Sequence, residues 1–96
     1  MRADYDSEAN VLGIELSRFE RYDHQEQVQD PYCTVGFAGG RLVDVELLDP
    51  TEHLDLIELA AERYGLDGAA LIAAAQAALA APDRVVELEV TARAVA

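Results

Sequence analysis

The feature that most limits how this chain can fold is a pair of glycines, Gly39 and Gly40, between two stretches of alternating apolar and polar residues. Alternation with a period of two is typical of a strand with one buried face, and glycines between two such runs indicate a tight turn. Residues 32–48, YCTVGFAGGRLVDVELL, therefore predict an antiparallel hairpin. We expect this hairpin to form the centre of a small sheet.

The loop length of the hairpin follows from which residues must share a face. A two-residue loop would pair Val35 with Asp44 and divide the apolar side chains between the two faces of the sheet. A three-residue loop, Ala38 to Gly40, pairs Val35 with Val43 and keeps the apolar side chains together. We therefore predict the three-residue loop, with Gly40 in the left-handed conformation that glycine adopts without strain.

Four other stretches predict strands around this hairpin. Residues 11–17 (VLGIELS) and 84–91 (RVVELEVT) alternate strictly, which indicates half-buried strands. Residues 2–4 could form an edge strand, and residues 24–29 read as a strand that is exposed to solvent. We expect the strand at 84–91 to rejoin the sheet, in its own subunit or in a partner's.

Two helices are predicted between the hairpin and the last strand. Residues 49–52 (DPTE) offer an aspartate cap, a proline at the first helical position and a glutamate at the third, which predicts a capping box. The first helix would run to Tyr64 and end at Gly65. Asp67 would cap a second helix over residues 68–81.

The second predicted helix is apolar on nearly every side. Its heavier face, which we expect to be buried, consists of Leu71, Ile72, Ala75 and Leu79. A helix that is apolar all round is normally covered on more than one side. We therefore predict that part of this helix forms a subunit interface in a homodimer.

The order of strands, two helices and a strand is typical of an α+β domain. We predict a single domain over residues 1–96. Its small antiparallel or mixed sheet, a β-meander, would carry two helices on one face, and a C-terminal strand would rejoin the sheet. At 96 residues such a domain can bury about 60–70% of its unfolded surface.

The formal net charge of −12 limits the range of partners. Nucleic acids and anionic membranes both attract a positive surface, so neither is expected to bind here. No apolar run reaches the roughly 18 residues of a membrane span, and a single cysteine excludes an internal disulfide. These features predict a cytoplasmic protein and favour a basic partner or a divalent cation.

The acidic residues that alternate with the predicted core residues are Glu15, Asp44, Glu46, Glu87 and Glu89. If their strands are neighbours, the face of the sheet away from the core is an acidic patch. Such a patch is either a solvated surface or a docking surface for a basic protein. For the second case we predict that the partner binds Arg41, Asp44, Glu46, Glu87 and Glu89.

Motifs for catalysis or cofactor binding are not found. His24 and His53 do not form a zinc-ligand spacing, and the chain has no paired cysteines. Scattered carboxylates can still assemble a site for a hard cation. Cys33 alternates with the inward residues, which is typical of a small core residue. We therefore predict no catalytic residue, no cofactor and no metal site.

Three pieces of the sequence carry a resemblance to a known family. They are YDxEANxL from Tyr5, IELS from Ile14, and GRLVDVELLD from Gly40 to Asp49. Over Tyr5 to Asp49 the chain resembles a small bacterial family designated domain of unknown function twenty-two eighty-three. The resemblance implies a β-meander followed by a helix, without established catalytic residues. Some members look like partners of small, basic ribonuclease-type toxins, which would make them antitoxins.

The sequence as a whole predicts a non-enzymatic interaction module, a homodimer that docks a basic partner, and the family resemblance implies an antitoxin-like role. One alternative is a small-ligand or metal-binding domain with its site between the sheet and the helices. A second alternative is a small enzyme, since nineteen acidic residues leave room for a catalytic carboxylate pair.

Overall fold

The alternating stretches fold into one antiparallel sheet with both helices on one face. The computed structural model describes residues 1–88. The strands are β1 Arg2–Asp6, β2 Val11–Glu15, β3 His24–Gln29, β4 Cys33–Ala38, β5 Arg41–Leu48 and β6 Val85–Glu87. The helices are α1 Asp55–Tyr64 and α2 Gly68–Ala80, and a short 3-10 helix covers Pro50–Glu52. The predicted α+β fold is confirmed.

The strand order is β3-β4-β5-β2-β1-β6, with every neighbouring pair antiparallel. The β1–β2 hairpin and the β3–β4–β5 meander therefore meet where β2 pairs with β5. The prediction that β1 lies at an edge is wrong, because β6 pairs with its outer side and Ala3 lies opposite Val86. Strand β6 thus rejoins the sheet of its own chain, while residues 89–91 of the predicted strand lie outside the described residues.

The loop between β4 and β5 has two residues, so the predicted three-residue loop is wrong. Ala38 pairs with Arg41, and the loop consists of Gly39 and Gly40. Both glycines have positive φ angles, +62° and +77°. Left-handed conformation at both central residues is the geometry that twists a hairpin correctly, and glycine adopts it without strain. The left-handed conformation predicted for Gly40 is confirmed.

A β-bulge in β5 keeps the apolar side chains on one face despite the short loop. Phe37 pairs with Leu42, but Gly36 pairs with Asp44, so Val43 is an extra residue in β5. One residue inserted into a strand moves every later side chain to the opposite face of the sheet. One extra residue in the loop would have the same effect. The predicted pairing of Val35 with Val43 is therefore wrong.

The hydrophobic core lies between the inner face of the sheet, which is the face toward the helices, and the helices themselves. The largest of its fully buried side chains are Leu12, Ile14, Val35, Val45, Leu47, Ile57 and Leu71. Burying one such side chain contributes about 1.5–3 kcal/mol to stability. None of the buried residues in 1–88 is polar or charged.

The predicted capping box at the start of the first helix is wrong. Asp49 has a left-handed backbone, φ +51°, and its side chain caps nothing; α1 begins only at Asp55, after the 3-10 turn. Asp49 instead forms the turn out of β5. Its N–H donates to the carbonyl oxygen of Asn10 at 3.0 Å, and its carboxylate accepts from Asn10 Nδ2 at 3.3 Å.

The predicted end of the first helix and the cap of the second are confirmed. Gly65 has φ +69°, and the N–H of Leu66 donates to the carbonyl oxygen of Ala61 at 2.8 Å. The carboxylate of Asp67 then accepts from the N–H of Ala70 at 3.1 Å, which caps α2.

The buried face of α2 differs from the prediction. The buried residues are Leu71, Ala74, Ala75 and Ala78, whereas Ile72 and Leu79 are only half-buried. Alanines face the sheet because small side chains let the helix approach β1 and β2 closely, and the larger residues lie beside that contact. Neither helix in residues 1–88 is long and apolar enough to cross a membrane.

Candidate functional site

The outer face of the sheet, away from the helices, carries two rows of residues that lie opposite each other on neighbouring strands. One row runs Glu87, Arg2, Glu15, Asp44, Gly36. The next runs Val85, Asp4, Gly13, Glu46, Thr34. Neighbouring strands are about 4.8 Å apart. We call the five carboxylates of these rows, Asp4, Glu15, Asp44, Glu46 and Glu87, the acidic face.

The residues predicted to bind a partner are spread along this surface. Asp44 and Glu46 lie two residues apart on β5, so they point to the same side. Glu87 lies three strands away on β6, about 14 Å across the sheet. Arg41 is exposed at the hairpin end of β5, away from the centre of the acidic face. Glu89 lies beyond the described residues.

Sequence reasoning missed two residues of β1. Asp4 belongs to the acidic face, and Arg2 places a positive charge between Glu87 and Glu15. The Nη1 atom of Arg2 lies 3.8 Å from Oε1 of Glu15, both side chains being about one-third exposed. A pair so exposed contributes about 0.2–1 kcal/mol. The alternation of Arg2 and Asp4 around buried Ala3 was the available signal.

A third missed residue, Tyr22, comes from the loop between β2 and β3. Its hydroxyl donates to Asp44 Oδ2 at 2.5 Å, and its ring lies against the Phe19 ring with centroids 4.8 Å apart. The ring also covers Gly36, where any Cβ would overlap it and would lie 2.6 Å from Asp44 Oδ1. No sequence pattern marks Tyr22, because it lies in a polar loop without periodicity.

Burial, with a smaller contribution from nearby carboxylates, raises the pKa values of two carboxyls of the acidic face. Burial is the main reason that the pKa of Asp44 is raised, and Glu15, directly opposite, adds to it; the hydrogen bond from Tyr22 opposes the shift. Burial also raises the pKa of Asp4, and its neighbour Asp6 adds to the effect. Like charges directly opposite each other destabilise a sheet. A cation bound here would relieve that repulsion.

Gly13 leaves a depression near the centre of the acidic face. Its volume is about 150 Å³. The residues that line it include Arg2, Asp4, Gly13, Glu15, Asp44 and Val85. The depression is wide enough for the end of a basic side chain, and the carboxylates that line it would accept its hydrogen bonds.

The remaining candidate residues do not assemble a reactive site. His24 lies beside one acid, its Nε2 atom 3.2 Å from Glu26 Oε2. His53 stacks on Tyr32 with ring centroids 4.1 Å apart. Burial raises the pKa of the Cys33 thiol to about 11, so its nucleophilic thiolate is disfavoured. Across residues 1–88, no group of three or more His, Cys, Asp or Glu side chains is arranged to hold a metal ion.

No protein-family model, curated protein or solved structure matches this chain. The resemblance of residues 5–49 to a family of unknown function therefore stays a prediction. The function has to be argued from the geometry and charge of the surface.

Proposed function

We propose that this protein is a non-enzymatic interaction module that docks a basic protein partner on its acidic face. The observation that carries the proposal is the strand register, which puts five carboxylates side by side on one face of the sheet. Arg2 is the counter-charge within those rows. A face with this composition is poorly neutralised by the protein itself.

Electrostatics supply both the attraction and its specificity. A lysine or arginine placed between Glu15 and Asp44 would offset the repulsion of two carboxylates that lie opposite each other. The net charge of −12 would also speed the encounter with a positively charged partner. The depression at Gly13 offers one place where a basic side chain can lie with part of its stem out of water.

The space between the sheet and the helices contains few groups that could form hydrogen bonds with a small ligand. Every buried residue found in 1–88 is apolar, and no buried side-chain nitrogen or oxygen atom there lacks a hydrogen-bond partner. A ligand site normally combines an apolar lining with a few convergent polar groups. The exposed acidic face is therefore the better basis for a function.

The chemistry of the partner follows from the same surface. We propose a basic protein of the cytoplasm. A small ribonuclease-type toxin would be one such partner, as the family resemblance implies, and this chain would then act as its antitoxin. Electrostatic attraction would supply most of the affinity, so binding would weaken as ionic strength rises.

Two triple variants with the same change in charge test this proposal. Glu15→Gln/Glu46→Gln/Glu87→Gln removes charge from the acidic face. Glu52→Gln/Glu58→Gln/Glu62→Gln removes as much from exposed positions in and around α1. Each is used as bait at low salt in extract of the source organism, and the bound basic protein is identified by mass spectrometry and its affinity measured.

We expect the outer-face variant to lose at least about tenfold in affinity and the α1 variant to lose much less. Raising the salt from 50 to 300 mM should release the partner from the wild-type protein, because the Debye length shortens. Equal losses in both variants would mean that net charge alone attracts the partner. That result would contradict a docking site on the acidic face.

We also propose that the protein is a homodimer formed through the outer side of α2. The 13 residues of α2 include no charged residue, although the chain carries a net charge of −12. The side chains of α2 itself oppose no like charges when two copies approach along this helix, although Glu58 of α1 lines the groove beside it, and the acidic face stays free. An open groove of about 540 Å³ runs beside Ile72 and Ala73. Sedimentation equilibrium should show a dimer that Ala73→Glu dissociates; a wild-type monomer would refute it.

A further inference from the structure

Strand β3, His24–Gln29, is the last strand on its side of the sheet. It pairs with β4, and its other edge faces no strand of residues 1–88. Alternate main-chain N–H and C=O groups along that edge are therefore directed away from the sheet. Such an edge is a ready template for one more strand.

The two edges of the sheet differ in how well they are protected. Within residues 1–88, the opposite edge strand, β6, has three residues, and short edges discourage pairing. Strand β3 has six residues, HQEQVQ, and contains no proline or lysine. Its protective features are the charge of Glu26 and the bulge at Val28, whose carbonyl oxygen accepts from Arg63 Nη1 at 3.5 Å. From His24 to Gln27 its pairing with β4 is uninterrupted, and the extra residue Val28 interrupts it only beyond that point.

The exposed edge is also held in place before any partner binds. The hydroxyl of Tyr64 at the end of α1 donates to Glu26 Oε1 at 2.7 Å. The ring of His24 stacks on Phe37 with centroids 4.5 Å apart and an angle of 4° between the rings. A preformed edge loses little conformational entropy on binding, which favours affinity.

We propose that the free edge of β3 binds an extended basic segment of the partner as a seventh strand of the sheet. This inference rests on the proposed function, because it names the part of the basic partner that is recognised. The main chain of the segment would bond to the main chain of β3. Its alternate side chains would lie beside the side chains of β3 on the two faces of the sheet.

Charge decides between a basic segment and a second copy of this chain. Glu26 is exposed on the helix side of β3, and Asp23 and Asp30 flank the strand. Pairing β3 with a second β3 would bring these acids together, which is unfavourable. A lysine or arginine on the helix side of an added strand would instead lie about 5 Å from Glu26, the usual cross-strand distance.

Synthetic peptides separate main-chain pairing from charge. The first probe is an eight-residue peptide of alternating lysine and valine with blocked ends. The second has the same sequence and charge, but every backbone nitrogen is methylated, so its main chain cannot donate a hydrogen bond. Binding of both to the full chain is measured at low salt by NMR of ¹⁵N-labelled protein, which reports affinity and the amides that shift.

We expect the first peptide to shift the amide signals of His24 to Gln27 and to bind about tenfold or more tightly than the methylated one. The variant Glu26→Gln should weaken the first peptide severalfold, and its matched control Glu52→Gln should leave binding unchanged.

Equal affinity for the two peptides would overturn strand addition, and so would shifts confined to β1, β2 and β5. Both results leave docking on the acidic face intact, since that surface needs only charge. Absence of binding by either peptide would overturn the inference as well. The proposed function then depends on its own test with the two triple variants.

Discussion

The two faces of the same sheet differ in almost every physical respect although they are built from alternate residues of the same strands. In β5, Val45 and Leu47 on the inner face are each 1% exposed, while Asp44 and Glu46, which alternate with them, carry charge on the outer face. Along β1, β2, β4 and β5 the inner face is apolar and is covered by the helices. The outer face brings like charges together. The comparison shows that the buried residues of the inner face contribute most of the free energy of folding. The residues of the outer face contribute little to it and can therefore be used for binding.

The largest expected effect comes from comparing two adjacent residues of β5. Leu47→Ala removes a buried side chain and leaves a cavity, so it should lower the free energy of unfolding by about 2–5 kcal/mol. Glu46→Ala, one residue away on the outer face, should change it by no more than about 0.5 kcal/mol. Urea unfolding measures both. Similar losses in the two variants would contradict the division between the faces.

A smaller effect is expected from the glycines of the outer face. Gly36→Ala should cost about 1–3 kcal/mol, because the added methyl group overlaps the Tyr22 ring and displaces it from Asp44. Gly13→Ala is the matched control, since its Cβ would lie 3.4 Å from Asp4 Oδ1, an ordinary contact.

The double variant Gly36→Ala/Tyr22→Ala sharpens this test. If overlap with the Tyr22 ring is the cause, Gly36→Ala should cost clearly less in the Tyr22→Ala background than in the wild type. Urea unfolding of the four proteins gives the coupling. Additive losses would show that Gly36 is required for another reason.

The smallest expected effect is the dependence of stability on pH. The raised pKa values of Asp4 and Asp44 mean that these carboxyls bind protons more readily in the folded state than in the unfolded state. Stability should therefore increase as the pH falls from 7 toward the ordinary carboxylate range near 4. The variant Asp44→Asn should make this increase shallower, as followed by urea unfolding between pH 7 and pH 4.

Two carboxylates outside the acidic face should act in the opposite direction and serve as controls. Hydrogen bonds from Tyr64 and from Ser7 lower the pKa values of Glu26 and Asp83 respectively. Their contribution is present above the ordinary carboxylate range and is lost as the pH falls through their lowered pKa values. Asp83→Asn should therefore reduce stability at pH 7 and flatten the loss at low pH. A steady decline in the stability of the wild-type protein from pH 7 downward would contradict the raised pKa values of Asp4 and Asp44. An unchanged pH dependence in Asp83→Asn would contradict the lowered pKa of Asp83.

Local patterns predicted the parts of the fold that depend on local physics. The alternation in residues 11–17 and 84–91 indicated β2 and β6, and Gly65 and Asp67 marked the boundary between the helices. The start of α1 was mispredicted because the turn out of β5 uses the Asp49 side chain to bond Asn10, a residue 39 positions earlier. Contacts over such a separation leave no local pattern.

The candidate site also has some features that local patterns predict and others that depend on contacts between residues distant in sequence. The outward placement of Glu15, Asp44 and Glu46 could be predicted because a strand alternates its side chains between two faces. The residues that lie beside these three carboxylates on neighbouring strands and loops could not be predicted. Whether Asp4 and Arg2 lie beside Glu15 depends on the strand order, and the position of Tyr22 over Gly36 depends on the path of a loop.

The sequence by itself determined which residues alternate, where glycine permits a turn, and that strands followed by two helices and a strand form an α+β fold. These properties follow from the periodicity of a strand or helix and from the conformations open to each residue type. Only the tertiary structure decided the two-residue loop with its bulge at Val43, the interior position of β1 and the exposed edge of β3. Those features depend on pairing between strands distant in sequence, where several registers satisfy the same alternation and packing selects one.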